Sequence, residues 1–206
     1  VQNARIQPGD TVAIVGAGPI GLAAIMTARL LSPATIIAID LADARLAKAL
    51  DFGADVVINN GVEDAVARVM ELTGGRGVDA AIEAVGVPET FELCAELIRP
   101  LGRVANVGVH GCAATLHLET LWIRNVTITT GLVDTFATPR LLQLVESGRL
   151  DPTPFATHRF SLDETMAAYD VFADAATTHA LKVVLSADPA PVPAAAATTG
   201  EAVTPA

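Results

Sequence analysis

The 206-residue chain is 51% hydrophobic and 17% charged, which is ample material for a globular core and excludes a disordered or fibrous polymer. Its 13 Lys and Arg against 23 Asp and Glu give a formal net charge of −10. Such a surface repels phosphate backbones and anionic lipid, so nucleic acid and membrane are excluded as expected partners. Two cysteines, Cys94 and Cys112, cannot build a disulfide framework. No signal peptide and no apolar run of membrane-spanning length is found, and a cytoplasmic setting is expected.

In chain order, Pro8-Gly9-Asp10 is turn chemistry before Thr11–Val15, a β-branched run suited to a strand buried on both faces. A glycine-rich turn follows, then a helix over Ile20–Leu31 stopped by Ser32-Pro33. Thr35–Ile39 is predicted as a second buried strand ending in Asp40, Ala42–Phe52 as a helix with Gly53 beyond it, and Asp55–Ile58 as a third strand. Glu63–Leu72 is the third helix, Val78–Ala84 the fourth strand, Pro88–Ile98 a helix with proline in its first turn, Gly102–Val109 the fifth strand and Asn125–Thr130 the sixth. Strands and helices alternating at this spacing imply a Rossmann-type doubly wound parallel sheet, an α/β fold with helices on both faces.

After Gly131 the rhythm changes. A helix over Thr138–Ser147, a short strand at His158–Phe160, a helix over Leu162–Phe172 capped by Ser161 or Asp163, and a strand at Ala180–Leu185 do not continue the wound sheet. The Ala/Pro/Thr-rich stretch from Ser186 lacks aromatic residues and periodicity, and is expected to be a disordered tail. The expected division is residues 1–9 as a linker end, 10–133 as the cofactor domain, 134–185 as a C-terminal segment and 186–206 as the tail.

Gly16-Ala17-Gly18-Pro19-Ile20-Gly21 matches the dinucleotide fingerprint. It follows a buried strand, opens a helix and precedes an acidic residue about twenty positions later. Gly16 permits the tight turn, Gly18 lets backbone approach a pyrophosphate, and Gly21 lets helix and strand pack closely. The helix N-terminus at Pro19 and Ile20 offers free N–H groups and a positive dipole end to phosphate. Asp40 stands where a carboxylate accepts ribose hydroxyls and repels a 2′-phosphate, which favours NAD over NADP; alternatively it caps the next helix.

His110, Cys112 and His117 lie within one loop, but their spacing fits no common structural zinc pattern, and a loop passing the cofactor crevice accounts for them. Cys94 reads as a buried small hydrophobe. Glu83, at a strand end, suits backbone hydrogen bonding better than general-base work. No catalytic group and no metal site is predicted in this chain.

These motifs carry a resemblance. Pro8 to Gly21, Asp40 with Arg45-Leu46, Thr73-Gly74-Gly75-Arg76-Gly77-Val78-Asp79, Glu83-Ala84-Val85-Gly86 and Gly102 to Gly111 resemble the cofactor-binding part of zinc-dependent medium-chain alcohol dehydrogenases. Leu116-His117-Leu118-Glu119, Gly131-Leu132-Val133-Asp134-Thr135 and Thr157-His158-Arg159-Phe160 agree, so the likeness covers about residues 1–185. It implies that Val85 and Gly86 line the nicotinamide ribose. It also implies that backbone at Val107, Gly108 and Val109 and at Gly131, Leu132 and Val133 holds the carboxamide, with Arg45 and Lys182 near the adenosine and pyrophosphate.

The resemblance further implies NAD as cofactor, an alcohol and its aldehyde or ketone as substrates, and homo-oligomers that pair edge strands around Asn125–Thr130. In that family the catalytic zinc ligands and proton relay belong to an N-terminal GroES-like domain. With its start at Val1, this chain is accordingly expected to be the C-terminal part of such an enzyme, inactive alone, with zinc held elsewhere. Polyol or formaldehyde dehydrogenases, quinone reductases and a standalone NAD-sensing module are the alternatives.

Overall fold

The computed structural model describes residues 1–132 and 135–187. Within them the chain forms two compact units, Val1–Pro154 and Phe155 onward. The division thus falls later in the chain than the expected 133/134 boundary, because the helix over Thr138–Glu146 belongs to the first unit. Val133 and the tail from residue 188 lie outside the described residues.

The first unit is built on six parallel strands: β1 (Thr11–Val15), β2 (Thr35–Asp40), β3 (Val56–Asn59), β4 (Val78–Glu83), β5 (Ile98–Asn106) and β6 (Thr127–Thr130). Their order, β3-β2-β1-β4-β5-β6, is the doubly wound arrangement, in which the strand order, not the strand direction, reverses between β1 and β4. Interleaved are α1 (Pro19–Arg29), α2 (Asp43–Asp51), α3 (Ala65–Leu72), α4 (Pro88–Leu97), the short α5 (Leu118–Leu121) and α6 (Thr138–Glu146).

Burial of both faces explains why β1 and β2 are apolar between their ends. Ala13, Val15, Ile37 and Ile39 join Ala65 and Val69 of α3 and Cys94 and Leu97 of α4 in one buried cluster. The intervening Val12, Ile14, Ile36 and Ala38 are equally buried on the other face, where α1 contributes Leu22 and Ile25. Truncating Ile14 or Ile37 to Ala would cost about 2–5 kcal/mol.

Several boundaries differ from the sequence expectation. β5 begins at Ile98 instead of Gly102: Pro100-Leu101-Gly102, which resembles a turn, is absorbed by a register shift opposite Val78–Ala80, with Leu101 at φ 64. β5 also ends at Asn106, because the amides of Val107 and Gly108 turn back to the Glu83 carbonyl at 2.9 and 3.2 Å. α5 and the 3-10 turn Trp122–Arg124 occupy a stretch for which the sequence pattern predicts no element, and β6 starts at Thr127 instead of Asn125.

The second unit pairs β7 (Ala156–Ser161) in parallel with β8 (Lys182–Ser186) through α7 (Thr165–Ala173) and α8 (Ala175–Thr178). Ser161 caps the intervening helical segment as expected, in a reciprocal box with Glu164 whose Oε2 accepts the Ser161 amide at 3.0 Å. The final strand starts at Lys182, since His179 in the left-handed region closes α8 first. No helix among the described residues is long and apolar enough to cross a membrane.

Candidate functional site

Strands β1 and β4 run side by side to the pair Val15 and Glu83, and beyond it their chains part, one into α1 and the other toward α4. In a doubly wound sheet this divergence opens a crevice outside the carboxyl ends of the strands. The glycine turn forms one wall. Gly16 has φ +97, donates its amide to the Ile39 carbonyl at 2.8 Å, and lies so close to β4 that a Cβ there would stand 2.5 Å from Val85 Cγ2. A Cβ at Gly21 would collide with the Gly16 carbonyl, so helix α1 can pack this closely only through glycine.

Gly18 differs from both. Its φ is −73, it caps α1, and nothing lies within 4 Å of where its Cβ would be. A glycine at position 18 is therefore not demanded by the protein's own packing. Pro19 occupies the first turn of α1, and the first intrahelical bond runs from Leu22 to Gly18 at 2.9 Å. The amides of Ile20 and Gly21 precede that bond and point their donors at the helix mouth.

Asp40 ends β2 beside this mouth. Its Oδ2 accepts the Ala17 amide at 2.7 Å, and its Oδ1 accepts the amides of Leu41 and Ala42 at 2.8 and 3.0 Å. The carboxylate thus faces the glycine turn and holds the two residues before α2, while α2 itself, with Ala42 at its N-cap, has no side-chain cap. Arg45, on α2, brings its guanidinium to 3.9 Å of Oδ2 while remaining half exposed.

The other wall is stacked backbone. Gly86 (φ +96) would place a Cβ 2.5 Å from the Val109 carbonyl oxygen, and one at Gly108 would run into Gly86 N and Glu83 Oε2. Val85, Gly86, Val107, Gly108 and Val109 are therefore one layer. Above it Val85 and Val109 expose 48% and 83% of their surface and form an apolar lip. Gly131 and Leu132 follow β6, whose last residue pairs with Asn106, and Asn3 Nδ2 would lie 2.8 Å from a Cβ at Gly131. Lys182, in the second unit, is exposed at the head of β8.

Glu83 is wholly buried, and its Oε1 accepts the Val85 and Gly86 amides at 2.8 Å each and the Thr90 hydroxyl at 2.7 Å. The expected backbone role is thus realised. Sequence reasoning missed its partner Thr90, which carries no motif, and the placing of Asn106 opposite Glu83 in the sheet register. It also missed the approach of His110 Nε2 to Glu83 Oε2 at 3.5 Å, across two strands. Among the described residues no three His, Cys, Asp or Glu side chains form a metal-holding group. His110 turns to Asn106, whereas His117 bonds Glu119 at 2.8 Å, and that hydrogen bond is the main cause of its raised pKa.

With this geometry in view, comparison with known proteins is specific. A family model described as zinc-binding dehydrogenase matches residues 19–147, more than half of the chain. The chain belongs to the zinc-binding dehydrogenase family. An alcohol dehydrogenase of Cupriavidus necator is 45% identical over 184 residues, 84% of this chain and 48% of that protein. Zinc dependent alcohol dehydrogenase 2 from Streptococcus pneumonia, solved in its apo form, superposes with a TM-score of 0.87 at 47% identity, covering 92% of this chain and 56% of that one. A zinc-binding dehydrogenase of Sinorhizobium meliloti, solved bound to NADP, gives a TM-score of 0.80 at 28% identity over 88% of this chain and 54% of that one. The chain spans about half the length of these relatives.

Proposed function

We propose that the first unit binds NAD(H) across the β1/β4 crevice, and that it is the cofactor-binding part of an enzyme oxidising an alcohol reversibly to an aldehyde or ketone. The observation that carries this reading is the open space at Gly18, at the mouth of α1, where a Cβ would meet no described residue beyond its chain neighbours within 4 Å. A pyrophosphate there would meet the Ile20 and Gly21 amides and the positive end of the helix dipole. The adenosine ribose would reach Asp40, with Arg45 beside it, while the nicotinamide half would lie along Val85, Gly86 and Val107 to Val109 toward Gly131–Val133.

Bound NAD supplies a hydride acceptor at the nicotinamide ring. The zinc that the family implies finds no set of three ligands among the described residues, and we assign its ligands to residues outside this chain.

NAD is favoured over NADP because the carboxylate of Asp40, 8% exposed and already fixed by three amides, cannot swing away from a 2′-phosphate. Titration calorimetry tests this reading: NAD(H) should bind at least roughly ten times more tightly than NADP(H). Equal dissociation constants would refute the preference, and absence of binding to either would refute the site. Purified alone, the 206-residue chain should bind NADH without turning over alcohols.

The same reading makes the protein a homo-oligomer joined at the β6 edge. There Leu116, Leu118, Leu121, Trp122, Val126 and Ile128 line an apolar groove of about 270 Å³. Two free cysteines, Cys94 buried and Cys112 exposed, support a reducing, cytoplasmic location.

A further inference from the structure

Beneath the wall assigned to the nicotinamide lies a carboxylate with one oxygen unused. Glu83 Oε1 takes three donors, whereas Oε2, equally buried, takes none. The imidazole of His110 approaches Oε2, with Nε2 at 3.5 Å and a side chain 19% exposed.

Its neighbours fix the tautomer of that ring. Asn106 Nδ2 donates to the Gly108 carbonyl at 3.1 Å, which orients the amide and leaves Oδ1 as the acceptor 2.9 Å from His110 Nε2. Nε2 therefore carries the proton in the neutral ring. Nδ1, buried and without a hydrogen-bond partner, is the nitrogen that gains a proton in the cation.

No second charge competes. From α4, Phe91 meets the ring edge-on at a centroid distance of 6.3 Å. The Cys94 thiol, pushed well up by burial and then by Glu83, stays neutral. Among the described residues Glu83 is the only ion-pair partner of His110.

The wall therefore has two electrostatic states: net negative when His110 is neutral, and net neutral when it is protonated. NAD and NADH differ by one positive charge on the nicotinamide ring and little in shape. We infer that protonation of His110 sets the preference of the site for oxidised or reduced cofactor, neutral His110 favouring NAD⁺ and protonated His110 favouring NADH. This inference rests on the cofactor reading above, and its test separates the two.

The 206-residue chain is titrated with NAD⁺, NADH and ADP-ribose, which shares the adenosine and diphosphate but lacks the ring, from about pH 8 to about pH 5.5, the range of an imidazole. The ratio Kd(NAD⁺)/Kd(NADH) should rise about three- to tenfold as pH falls. In His110→Gln the ratio should stay flat, while ADP-ribose binds both proteins alike. The same slope in the variant overturns the inference and leaves the cofactor reading standing. Failure of all three ligands to bind overturns both.

Should the variant not fold, histidine NMR of the unaltered chain serves instead, with His110 assigned by elimination through His117→Gln, His158→Gln and His179→Asn. Because linkage is reciprocal, His110 should titrate at lower pH with NAD⁺ bound than with NADH. Equal midpoints overturn the inference.

Discussion

Asp40 Oδ2 accepts the Ala17 amide at 2.7 Å, which ties the end of β2 to the glycine turn that follows β1. With Oδ1 holding Leu41 and Ala42, both oxygens already face N–H donors. An amide cannot replace this carboxylate, because whichever way Asn turns, its NH₂ confronts a backbone donor. Asp40→Asn should therefore lose about 1–3 kcal/mol of stability and weaken NADH binding together. Urea unfolding beside calorimetry checks this, and an unchanged unfolding midpoint would contradict it.

Two glycines of one motif should separate by phenotype. Gly21→Ala drives a Cβ into the Gly16 carbonyl and should cost about 1–3 kcal/mol or more, seen as a lower Tm. Gly18→Ala meets open space at an ordinary φ of −73, so its Tm should barely change. Its methyl would intrude on a pyrophosphate instead, and NADH affinity should fall at least roughly tenfold. Normal affinity in Gly18→Ala would remove the main support for the phosphate position.

Asp79 predicts a pH dependence at the opposite end of the sheet. Burial opposes its ionisation, yet the Thr11 amide at 2.7 Å and the Arg99 guanidinium at 2.6 Å outweigh that effect and lower its pKa. A depressed carboxyl pKa contributes stability above the unfolded-state value, and the contribution fades as pH falls through the folded-state value. Asp79→Asn should cost about 1–3 kcal/mol at neutral pH, and the gap should narrow in acid. Denaturation midpoints measured across the acid limb check this; a pH-independent gap would count against it.

Trp122 is 71% exposed beside the apolar groove at the β6 edge. If that edge joins two copies, Trp122→Glu should reduce the mass measured by light scattering to that of one chain while leaving NADH binding intact. A chain that is already monomeric at high concentration would refute the proposed assembly.

The sequence makes β1, β2 and β4 legible because each is an apolar run closed by Gly, Asp or Glu, and their alternation with helices implies a parallel sheet, whereas the strand order is seen only in the structure. It also exposes the Gly16–Gly21 turn, whose signature is local. The start of β5 escapes because Pro100 and Gly102 carry the chemistry of a turn while the register shift opposite Val78 absorbs them. The Glu83, Asn106 and His110 group escapes for another reason: its members come from two strands and a loop, and only the sheet register brings them together. Asp40 is legible as an acidic strand end, but its bond to Ala17 requires knowledge of how far the turn folds back.

The pairing of Val12 with Ala80 has a consequence for the growing chain. β1 acquires its neighbour β2 early in synthesis, but its other edge has no strand to pair with until the segment after Gly77 has emerged. Until then the most apolar strand of the protein offers a bare main-chain edge to any passing strand. Nascent chains halted before β4 should therefore be the ones that chaperones hold longest.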